Sequence, residues 1–255
     1  MGEELPEIPG RDTILFSSWV FVAASLLLLA EFVLIYLGAA QELYYESEAK
    51  VAWATPHVVS ILGVLEAVGW ALGFVALIDW LVWHAFDAWG KDRGALWAAA
   101  LKLVASVFFC IQPASQLGDP KSAVLVKGLG CAWSNFAGIC FFHAGNVADA
   151  LRVPLPDGLA HANWPSLGMY VYVSATWLLV AADALAYFDF KGSPYGAPAA
   201  PKIGRRQLEL ICPLQMAGAS LLAVGSLIYV AWARRARAPA AAGDRDAPLL
   251  GAVQA

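Results

Sequence analysis

The run Gly138-Ile139-Cys140-Phe141-Phe142-His143-Ala144-Gly145-Asn146 sets two small residues seven apart, with a large apolar side chain at Phe141 and a polar one at Asn146. Seven residues make nearly two helical turns, so Gly138 and Gly145 fall close to one helix face. Inside lipid, small residues on one face let helix backbones approach closely. The same spacing recurs at Gly218, Leu221, Gly225 and Ser226, and more loosely at Ala23, Leu26, Ala30 and Glu31 and at Ala175, Leu178, Ala182 and Asp183. Four segments share a template for close helix packing, and the fold class it predicts is all-α: a polytopic membrane helix bundle.

Composition agrees with lipid as the solvent. The 255 residues are 60% hydrophobic and 14% charged, against roughly 25% charged in a soluble domain. Mean hydropathy is +0.62. A net charge of -4 with no acidic or basic block beyond a few C-terminal arginines gives no footprint for nucleic acid. Cys110, Cys131, Cys140 and Cys212 all fall in or beside apolar segments and read as small buried hydrophobes, not as a disulfide framework.

A span needs about 20 apolar residues, and the chain divides accordingly. A polar head, 1–13, precedes a transmembrane domain, 14–232, whose six spans are expected near 14–37, 57–84, 95–111, 123–142, 167–188 and 208–232. Pro113 is expected to close the third span. The second exceeds bilayer thickness without a turn signal at Gly69, so it reads as one tilted or projecting helix. The tail, 233–255, is Ala, Pro, Gly, Asp and Arg and reads as disordered. The acidic start lacks the basic region of a cleaved signal, so the first span is expected to act as the signal. Six spans place both termini on one side. Arg234, Arg235 and Arg237 after the last span favour a cytosolic side for them, while Lys202, Arg205 and Arg206 before it argue the reverse.

Trp19, Trp53, Trp83, Trp89, Trp164 and Trp232 fall at span ends, as an interfacial belt would place them. Trp70 and Trp177 lie deeper and are expected between helices. His57, His84, His143 and His161 are expected at span ends or in loops, with no cysteine or second histidine at metal-ligand spacing. No metal and no cofactor are expected. Asp246-Ala247-Pro248-Leu249-Leu250 has the form of an acidic di-leucine sorting signal.

Ionisable residues within the spans are the strongest functional clue, since each costs about 2.5 to 3.5 kcal/mol at a helix centre. With the N-terminal face taken as the near side, Glu31 lies about 8 Å past the midplane of span one at about 1.5 Å per residue. Glu66, Asp183 and Lys127 also fall in the far half, and Lys102 close to the midplane. These five are expected to converge as an intramembrane polar cluster, either a proton or ion relay or a set of ion pairs and hydrogen bonds that orients the helices. Asp79 is expected near the opposite interface.

Trp133-Ser134-Asn135-Phe136-Ala137-Gly138, followed by Phe141-Phe142 and Gly145, resembles the small YrhK-like membrane proteins, whose helices carry Gly, Phe and Gly at similar intervals. The likeness covers about one span, with echoes from Gly218 to Gly225. It implies repeated, closely packed membrane helices and no particular activity.

The first functional expectation is therefore a non-enzymatic structural, accessory or scaffolding protein of a membrane. Its partners would be the lipid bilayer and other membrane proteins or further copies of itself. The alternative is a small ion or proton transporter or channel using the far-half carboxylates. A membrane-embedded enzyme ranks third, because no phosphate loop, nucleophile elbow or metal motif is present.

Overall fold

Segments this apolar satisfy their backbone polar groups internally by coiling, and the chain does so six times. A computed structural model describes residues 7–44, 56–84, 93–118, 128–153, 155–156, 158, 160, 163–191 and 206–236. These residues form α1 (Arg11–Tyr44), α2 (Pro56–Trp83), α3 (Gly94–Gly118), α4 (Gly128–Ala150), α5 (Trp164–Lys191) and α6 (Cys212–Arg235). A π-helical turn, Gln207–Ile211, leads into α6. Five helices are long and apolar enough to cross a membrane. The remaining one, α4, has the length at 23 residues but carries Asn135, His143, Asn146 and Asp149. Lys127, Trp53, Trp89, His161, Lys202, Arg205 and the tail from 237 onward, with its di-leucine pattern, lie outside the described residues.

Several expected boundaries move. The first helix begins at Arg11, inside the expected polar head, and α6 runs to Arg235, past the expected span end at 232. Pro113 does not close the third span, because α3 continues through it to Gly118. A proline removes one helical hydrogen bond, but a membrane helix tolerates the loss where neighbours surround the freed group. Pro113 is buried. The fourth helix likewise passes Phe142 and ends at Ala150.

Each helix packs on its neighbours in sequence, and α6 closes onto α1. The result is a ring of six antiparallel neighbours. No helix fills its axis, so side chains must. At mid-depth Phe21, Trp70, Phe74 and Phe142 form an aromatic layer: Trp70 meets Phe142 edge-on at 5.1 Å between ring centroids, and Phe21 lies 4.7 Å from Phe74. Such pairs add about 0.5–1.5 kcal/mol beyond their buried area. Trp70 is 1% exposed, as its depth in the sequence predicts.

Small residues hold the ring together, though not all those expected. A side chain at Gly138 would strike Phe109 of α3, and one at Gly145 the Ala98 carbonyl. Gly218 and Gly225 of α6 receive Leu179 and Tyr172 of α5, and Ala175 and Ala182 are fully buried. In α1 the template is misplaced by one residue: Ala23 and Ala30 are exposed, and the buried Ala24 packs against Gly69 of α2. One residue turns a helix face by about 100°. The same rotation corrects Trp177, which follows the fully buried Thr176 and is 59% exposed instead of lying between helices.

The near end is tied by short polar contacts. Gly10 adopts φ +64°, a left-handed conformation suited to glycine, and a side chain there would collide with the His84 ring. The Trp80 indole N–H donates to the Pro9 carbonyl at 2.6 Å, pinning the start of α1 to the end of α2. Arg234 lies over Trp19 at 5.0 Å and Arg235 over Trp164 at 4.8 Å.

Candidate functional site

Three of the five expected cluster residues meet. Glu31 from α1, Glu66 from α2 and Asp183 from α5 line one cavity of about 60 Å³ in the far half, together with Asn135 and Gln215. Glu66 is 6% exposed. Its Oε1 accepts the Trp70 indole N–H at 2.9 Å, and Gln215 Nε2 donates to Asp183 Oδ1 at 2.9 Å. The Glu31 and Glu66 carboxyls interact directly with each other. An ionised carboxylate can only accept, so a hydrogen bond between the two would require one of them to carry a proton. The cavity exceeds the roughly 10–15 Å³ that one water requires.

Local sequence makes the space. A Cβ on Gly63 would stand 2.9 Å from Pro113 Cβ and 3.2 Å from Glu31 Oε2. Glycine on α2 thus admits both the proline of α3 and the carboxyl of α1. Both Pro113 and Gly63 line the cavity.

Lys102 does not join the acids. Its Nζ pairs with Asp149 of α4, and an Arg152 guanidinium nitrogen lies 3.6 Å from the other Asp149 oxygen. Helix lengths explain the correction. Midway between Gly94 and Gly118 is Ser106, so the longer α3 puts Lys102 in the near half. The longer α4 carries Asp149 to the same level. Partial burial holds Arg152 below the ordinary guanidinium pKa. Asp79 is exposed near the end of α2. His143, expected at a span end, lies well inside α4; its Nδ1 is 2.7 Å from Thr176 Oγ1.

This second polar group borders a larger cavity of about 300 Å³ on the near side of the aromatic layer. Its walls include Phe21, Phe74, Leu77, Met169 and Tyr172, and its polar part Lys102, Asn146, Asp149, Arg152 and Trp232. Asn146 is 1% exposed. Asn146 Nδ2 and Trp232 Nε1 are both buried without a hydrogen-bond partner, a cost of about 1–3 kcal/mol for each such donor. The sequence reading quoted Asn146 as part of a packing template but passed over Asp149, because it ended the span at Phe142. The signal was present: no proline follows Phe142 before Pro154.

Among the described residues Cys110, Cys140 and Cys212 form no disulfide. Among the described residues no group of three His, Cys, Asp or Glu side chains is placed to hold a metal ion. No protein-family model matches the chain, and neither a curated protein nor a solved structure matches it.

Proposed function

We propose that this multi-pass membrane protein is non-enzymatic and handles protons through the far-half acids, as a small transporter or channel. The reading rests on one observation: carboxyls from α1, α2 and α5 reach the axis of the ring at one level, and two of them, Glu31 and Glu66, interact directly. Carboxyls placed inward within a membrane are the usual material of proton relays. A purely packed scaffold has no need of an axial cavity. Protein reconstituted in vesicles with an internal pH-sensitive dye and an imposed potential tests it. Proton uptake is expected, and Glu31→Gln, Glu66→Gln and Asp183→Asn should each reduce it. Uptake no faster than in protein-free vesicles, or unchanged in all three variants, overturns the reading.

A structural or accessory role is the second reading, favoured by the aromatic layer that closes the axis beneath the acids. On that reading the acids are interhelical locks, and the partners are lipid and other membrane proteins or further copies of the chain. On that reading flux is absent from the unaltered protein too, and leucine in place of any of the three acids lowers the melting temperature.

A further inference from the structure

The near-half cavity has features that the acid cluster does not account for. It is bounded mainly by apolar side chains, yet two buried donors on its wall, Asn146 Nδ2 and Trp232 Nε1, have no partner. The charged side chains lining it are Lys102, Asp149 and Arg152, two cations and one anion, a formal balance of +1. All three stand on or near the ends of α3 and α4 that face the near side. The volume of about 300 Å³ lies at the lower end of the roughly 300–1,000 Å³ typical of small-molecule sites.

We propose that this cavity binds a single-chain amphiphile whose head is an anionic hydrogen-bond acceptor, a carboxylate or phosphate, and whose tail is apolar. The head accepts from Asn146 Nδ2 and Trp232 Nε1 and lies in the positive field of Lys102 and Arg152. The tail takes the apolar side toward Phe21, Phe74 and Met169. The volume limits the occupant to one short chain. Mostly apolar walls with a few convergent polar groups are the usual form of such sites, and a bound acceptor would satisfy both buried donors.

Binding of radiolabelled dodecanoate to the full-length protein in a non-ionic detergent, read by scintillation proximity, tests this. The proposal expects saturable binding, displaced by unlabelled dodecanoate and by dodecyl phosphate, with dodecanol at least tenfold weaker. Asn146→Asp, which sets a second carboxylate beside Asp149, should weaken binding at least tenfold. Met169→Trp, which fills the apolar side without touching the donors, should do the same. Each variant is compared at a matched melting temperature, and Met169→Trp decides if Asn146→Asp does not fold. Non-saturable uptake, equal competition by dodecanol, or unchanged affinity in the folded variants overturns the proposal. Proton flux takes no part in this measurement, so its outcome is separate from that of the acid cluster.

Discussion

Glu66 shows how a single side chain is held in this bundle. Its carboxyl accepts from Trp70 four residues on and lies against Glu31 of the neighbouring helix. Glu66→Gln keeps an oxygen for the indole and offers an N–H to Glu31, so the melting temperature in detergent should hardly change. Glu66→Leu leaves the Trp70 indole without its acceptor and should cost about 1–3 kcal/mol; equal stability of the two variants would contradict that hydrogen bond. Gly225 is constrained differently. A Cβ there would sit 2.6 Å from a ring carbon of Tyr172, whose hydroxyl is itself bonded to Ser226. Gly225→Ala should therefore destabilise by about 1–3 kcal/mol through overpacking, read as a lower midpoint of thermal unfolding.

At the scale of elements, the junction of α1, α2 and α3 carries most of the far-half geometry. Gly63 faces Pro113 and Glu31 together. A methyl at Gly63 must displace a proline ring or a carboxyl oxygen, and Gly63→Ala should both destabilise the protein and reduce any flux that depends on Glu31. Gly69→Ala is the control. Its Cβ would meet the Ala24 methyl at 3.2 Å, needing a shift of a few tenths of an ångström, and its effect should be the smaller of the two in the same melting assay. The extent of α3 and α4 was the least legible feature in the sequence. Pro113 reads as a stop by propensity, and the polar residues after Phe142 read as the end of a span. In the ring both stretches are enclosed by neighbouring helices, which removes the exposure that would otherwise unwind them.

For the whole molecule, we propose that α4 crosses along with the five helices long and apolar enough to do so, which would place the two termini on the same side. Arg11, Arg152, Arg234 and Arg235 gather at that end, with Lys191 and Arg206 at the other. By the charge rule for flanking segments, we propose that the terminal side is cytosolic. Cysteine-reactive probes on residues added at either terminus, applied to intact cells and then to permeabilised ones, should label both only after permeabilisation. Labelling of one terminus in intact cells would mean that a helix, α4 being the most polar, does not cross. The ring also gives a reason for two cavities. Six helices whose backbones pack mainly on their neighbours leave an axial space, and the aromatic layer of Phe21, Trp70, Phe74 and Phe142 divides it into an acidic part and a part bordered by Lys102 and Arg152.

The amino-acid order alone determined the helical membrane class, the approximate positions of the six helices and the meeting of Glu31, Glu66 and Asp183, because hydropathy, length and alternating direction are local properties that add along a chain. It did not determine which face of α1 packs, where α3 and α4 end, or that Lys102 answers to Asp149. Those depend on a rotation of about 100° per residue and on which neighbours shield a proline or a polar turn from lipid. Only closure of α6 onto α1 creates the axis, and with it the cavity where Asn146 and Trp232 are left without partners.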